Sequence, residues 1–68
     1  MKLNDLKEQR AQKLAEAHAL VDKADAEKRA MTADEQTRFD GLKAEIQRIE
    51  QDEARAAFLA DAERRAIA

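Results

Sequence analysis

The chain has no cysteine, proline, tyrosine, tryptophan or serine, and it contains a single glycine, Gly41, and a single histidine, His18. Without cysteine there is no disulfide framework, and with one histidine the donors of a closed zinc site are missing. Neither metal nor cofactor is therefore expected, and the redox compartment is left open. The absence of a glycine-rich phosphate loop, and of cysteine and serine nucleophiles, argues against catalysis, so no small-molecule substrate is expected. No apolar run approaches the roughly 20 residues that span a bilayer, and Met1 to Arg10 is too polar for a secretory signal peptide. The chain is read as water-soluble, with no membrane partner. An excess of one charge is missing too: 13 basic and 15 acidic side chains leave a net charge of −2. Nothing in that balance draws the chain to nucleic acid or anionic lipid.

What remains is a composition of Ala, Glu, Lys, Arg, Gln and Leu in which 41% of residues are charged. Such a composition makes long helices or coiled coils and disfavours strands. At 68 residues there is room for one small domain, which buries only about 60% of the surface its unfolded chain exposes. The expected class is all-α, an antiparallel two-helix hairpin of coiled-coil type with the longer helix second. Its thin core suggests self-association with other protein chains.

The first helix is predicted over residues 4–28, where Leu3, Leu6, Leu14, Ala17, Val21 and Ala24 recur at helical spacing between polar residues. Asn4 or Asp5 is the candidate cap. Lys28 and Arg29 place positive charge at the negative end of the helix dipole. A turn is predicted over 29–32, with no glycine to mark where the first helix stops. The string Met31-Thr32-Ala33-Asp34-Glu35 then fits a capping box, in which the Thr32 hydroxyl accepts from the Glu35 N–H and the Glu35 carboxylate from the Thr32 N–H. The second helix is predicted over 33–66. Phe39, Leu42, Ile46 and Ile49 follow alternating steps of three and four, the seam of a helix packed on a partner, and the same steps continue through Glu53, Ala56, Ala60, Glu63 and Ile67.

Reversal near Ala30 sets Val21 near Phe39, Ala17 near Leu42 or Lys43, Leu14 near Ile46, and Arg10 toward Glu50. The hairpin seam is thus assigned to Leu6, Leu14, Ala17, Val21, Phe39, Leu42, Ile46 and Ile49. The arms differ mildly in charge, +1 over residues 1–29 and −4 over 30–53. The second helix outreaches the first, so Phe58, Leu59 and Ile67 are left without an intrachain partner and become the candidate intermolecular contacts. His18 is read as a partly exposed helical residue, with a pH-sensing contact as the sharper alternative. The cluster Glu50, Asp52 and Glu53, which lacks calcium-loop spacing, is read as a solvated face. Gly41, unfavourable within a helix by about 1 kcal/mol relative to Ala, marks either close approach of another backbone or a tolerated surface position.

Four strings in order, Leu6-Lys7-Glu8-Gln9-Arg10, Val21-Asp22-Lys23-Ala24-Asp25-Ala26-Glu27, Met31-Thr32-Ala33-Asp34-Glu35 and Phe39-Asp40-Gly41-Leu42-Lys43-Ala44-Glu45-Ile46, resemble the start of a Hong Kong-type tailed-phage major capsid protein. The resemblance spans nearly the whole chain. It implies the N-terminal scaffolding, or delta, domain of that family, which clusters beneath the subunits of the immature shell, guides procapsid assembly and is removed by a phage maturation protease. The implied partners are other capsid subunits and that protease, and the implied location is the host cytoplasm, inside the immature procapsid. An α/β shell domain, which these 68 residues do not contain, would follow Ala68. Two other readings remain at this stage. One is a free-standing helical adaptor or regulator that binds a partner protein. The other is a nucleic-acid-binding hairpin, disfavoured because its basic residues are interspersed with acids.

Overall fold

A computed structural model describes the backbone of residues 3–67 and the side chains of 3–66. Two helices, α1 (Leu3–Ala26) and α2 (Ala33–Ile67), pack against each other as an antiparallel hairpin 56 Å long. No strand occurs among the described residues. The apolar residues buried at the interface are Leu6, Ala17 and Ala24 from α1 and Leu42 from α2. Three of these four come from α1, and two of them are alanines, so the helices approach closely along small side chains. Only the leucines contribute large buried area.

The first helix ends two residues earlier than its composition suggests, at Ala26, and the reason is local. The Arg29 N–H donates to the Ala24 carbonyl and the Lys28 N–H to the Asp25 carbonyl, each at 3.0 Å. This nested pair of bonds is the Schellman closure, which needs a left-handed residue between them. Lys28 supplies it with φ of 53°, taking the place that glycine usually fills. The connection therefore begins at Glu27. The residues expected to cap the start, Asn4 and Asp5, lie inside the first turn of α1, where Asp5 still sets a negative charge near the positive end of the helix.

The start of α2 is built from the expected pair of bonds. The Thr32 N–H donates to Glu35 Oε1 at 2.9 Å, the Glu35 N–H donates to Thr32 Oγ1 at 3.2 Å, and the Gln36 N–H closes the first helical bond on the Thr32 carbonyl at 2.9 Å. Arg29 ties the two helix ends together. Its guanidinium holds both Glu35 oxygens, at 2.7 and 3.2 Å, and also donates to Glu27 and to the Ala30 carbonyl, each at 3.0 Å. The six-residue connection from Glu27 to Thr32 thus has its backbone donors and acceptors engaged at both ends.

Gly41 has an open surface on this hairpin, since a methyl group placed there would meet nothing within 4 Å. Close backbone approach within the chain does not explain it. Gly41→Ala is expected to raise stability by about 1 kcal/mol through helix propensity alone. Urea titration followed by circular dichroism measures this, and a loss of stability would show that another surface presses on that position.

Candidate functional site

The seam of α2 and the seam of α1 are made differently. On α2, Leu42 is buried, while Phe39, Ile46, Ile49, Glu53 and Ala56 are half-buried at the expected alternating steps. On α1 the covered positions are Leu6, Arg10, Lys13, Ala17, Leu20 and Ala24, again in steps of four and three. Leu20 thus belongs to the interface. Leu14, assigned to the seam by its apolar character, is instead 43% exposed at the edge of the interface. Val21 is half-buried beside it.

Two basic residues occupy the α1 seam because acidic residues meet them. Arg10 Nε lies 2.6 Å from Glu53 Oε1, and both atoms are shut off from solvent. Lys13 Nζ lies 3.2 Å from Glu45 and Arg38 lies 3.9 Å from Glu16. The Arg10 partner is Glu53 rather than the expected Glu50, about one helical turn further along α2. The reason is rotational. Glu53 lies in line with Ile46 and Ile49 on the seam, whereas Glu50 faces one side of it. A charged pair within an apolar seam discriminates among registers more than it stabilises, because desolvation offsets the attraction. The more exposed pairs contribute about 0 to 1 kcal/mol each.

Two grooves flank this seam on opposite sides. The first, about 560 Å³, is lined by Leu14, Ala17, Val21, Phe39 and Ile46, with His18, Lys43, Gln47 and Glu50 alongside. The expected neighbours Val21 and Phe39, and Leu14 and Ile46, come together here, as walls of an open groove rather than as a closed core. The second, about 490 Å³, lies toward the open end of the hairpin, where Leu6, Ile49, Ala56 and Leu59 are accompanied by Gln9, Arg48, Asp52 and Arg55. Helical spacing places Lys43, Ile46 and Glu50 on one side of the Leu42–Ile49 line, and Arg48, Asp52 and Arg55 on the other.

The second helix is the longer of the two. It has 35 residues against 24 in α1, an excess of eleven residues or roughly 16 Å. Phe58 is 63% exposed and Leu59 is 53% exposed. Ala60 and Glu63, in line with the seam, are also exposed, and Ala62 is half-buried. The side chain of Ile67, the third candidate contact, lies outside the described residues. Exposed ion pairs of Asp61 with Arg64 at 3.7 Å and Arg65 at 3.5 Å run along this segment.

Among the described residues the large electrostatic perturbation is at the turn. Arg29 beside Glu35, reinforced by the Thr32 N–H, pulls the Glu35 carboxyl down to about 2, and the same contact together with Glu27 pushes the Arg29 guanidinium further up. This is structural use of charge. Among the described residues no group of three or more His, Asp or Glu gathers as a metal site, and no helix is long and apolar enough to cross a membrane. Fold and surface together define an all-α helical hairpin with apolar grooves and exposed apolar side chains near the end of α2. In comparisons with known proteins, no family model, curated protein or solved structure matches the chain.

Proposed function

We propose that this hairpin is a non-enzymatic scaffolding domain of a phage major capsid precursor, promoting procapsid assembly through helix–helix self-association and removed by proteolysis on maturation. The observation that carries the association is the exposure of Phe58 near the end of the longer helix α2, with Leu59 half-exposed beside the second groove. Large apolar side chains gain about 1.5 to 3 kcal/mol each on full burial, and the hairpin alone leaves more than half of each of these two exposed. Many such contacts repeated around a shell add up through avidity while each pairwise contact stays weak enough to release a misplaced subunit. The capsid setting rests on the resemblance of the four sequence strings, and with it the location inside the immature shell in the host cytoplasm.

Sedimentation equilibrium across a wide concentration range tests the association. Mass is expected to rise with concentration, and Phe58→Asp is expected to lower the association constant at least tenfold while leaving the far-ultraviolet helical signal largely unchanged. A chain that stays monomeric and fully helical at about 1 mM would sink this reading. Translating the source gene past codon 68 tests the capsid setting: a long frame encoding a mixed α/β domain supports it. An immediate stop, with a defined one-to-one partner, would favour a free-standing adaptor.

A further inference from the structure

We infer that the groove walled by Leu14, Val21, Phe39 and Ile46 docks face to face on the same groove of a second copy of this chain, across a twofold axis that passes beside Leu14 of each. The inference rests on the self-association reading and adds a contact separate from Phe58, which helical spacing sets about 100 to 120° around α2 from Phe39 and Ile46. Each helix presents one arc to the docking face. Around α2, Phe39, Lys43, Ile46, Glu50, Ala54 and Ala57 fall within about 80° of one another, and around α1 the same holds for Lys7, Ala11, Leu14, His18 and Val21. The groove is lined from both arcs, so they open in one direction. Within the hairpin this face stays incompletely covered, with Val21, Phe39 and Ile46 half-buried and Leu14 exposed.

The charges on the face select a second copy as the occupant. Lys43 and Glu50 stand on the groove rim, seven residues or two turns apart, and neither forms an ion pair with any described residue. Let the axis cross α2 between Ile46 and Gln47, level with Leu14, with the two α2 helices antiparallel. Lys43 of each copy then meets Glu50 of the other, so the symmetry forms the ion pair twice and satisfies both rims.

The same alignment fits sterically. Leu14 meets Leu14 at the axis, and the stem of Lys7 lies over Val21 of the other copy. Each Phe39 falls opposite Ala54, with Ala57 one turn beyond, where small side chains leave room for the ring. The faces overlap over about 40 Å of the 56 Å length and across the 17 Å width, roughly 700 Å² per copy, close to the about 800 Å² per partner of a standard stable interface. The resulting unit is a four-helix assembly in which each helix packs beside its own copy, and it covers the large apolar side chain, Leu14, that the monomer leaves at its edge.

The test uses the 68-residue chain in a Phe58→Asp background, which removes the contact at Phe58. The residual association is expected to be a dimer in sedimentation equilibrium. Lys43→Glu and Glu50→Lys should each weaken that dimer about tenfold, because two attractive pairs become repulsive, and the two together should restore it to within about threefold. Both side chains are exposed in the monomer, so its helical signal should not change. Leu14→Cys gives the chain its only thiol, beside the axis, and should oxidise to a covalent dimer roughly fivefold faster than Ala15→Cys, whose thiol is turned about 100° away. A Phe58→Asp chain that stays monomeric where the wild type associates overturns the docking and leaves self-association standing. So does a dimer in which the double charge variant is not restored and the two thiols oxidise at one rate. A wild type that never associates overturns both.

Discussion

Leu42→Ala is expected to unfold the isolated hairpin at temperatures where the wild type is folded. Leu42 is the one large side chain of α2 buried at the interface among the described residues, only 6% exposed. Truncating a buried leucine removes about 2 to 5 kcal/mol, from lost transfer energy plus the cavity left behind. A domain of this size has a total stability of roughly 3 to 10 kcal/mol, so the loss takes a large share of what exists. The helices do not stand well alone in water, because their stability comes mainly from packing an apolar stripe. Helicity and tertiary structure should therefore fall together. Thermal melts by circular dichroism at low protein concentration measure this. Leu14→Ala is the control: with Leu14 43% exposed at a groove edge, its truncation should shift the monomer's melting midpoint far less. Equal midpoint shifts for the two variants would mean that the seam is wrongly located.

Acidification is expected to loosen the turn before the helical seam. The carboxyl of Glu35 is held at about 2, below its ordinary 4.5, because Arg29 and the Thr32 N–H bind its ionised form. A carboxyl depressed by folding contributes stability that is fully present above pH 4.5. That contribution is lost as pH falls from about 4.5 through about 2, since the unfolded chain takes up the proton first. Glu35→Gln can keep a bond from the Thr32 N–H but has no charge to hold Arg29. The variant should be less stable than wild type at pH 7, and the difference should shrink toward pH 2. Backbone amide exchange at Thr32 and Glu35 gives a local reading, expected to speed up in the variant at neutral pH. A stability difference independent of pH between 2 and 7 would remove the ion pair from the explanation.

Much of the hairpin is legible along the chain because helix formation is local. Alternating steps through Phe39, Leu42, Ile46 and Ile49 define one stripe of α2, and Thr32 with Glu35 marks its start by a contact three residues long. The end of α1 is less legible, since a lysine stands at the left-handed position and no glycine announces the stop. Leu20 escaped for a different reason. Its line runs through Arg10 and Lys13, so a search for apolar residues alone passes over it and settles on Leu14. Only pairing with Glu53 and Glu45 makes those two basic residues acceptable at the interface.

By itself, then, the sequence determined two helices, their relative lengths, the capping box between them and a longer second helix carrying exposed Phe58 and Leu59. These follow from composition, period and chain length, which act within a few turns of helix. Tertiary structure alone decided which rotation of α1 faces α2, the Arg10–Glu53 pairing, the reach of Arg29 across the turn and the grooves beside the seam. Each depends on how two helical surfaces fit together, and a three- or four-residue period cannot specify a rotation when charged side chains share the packed face.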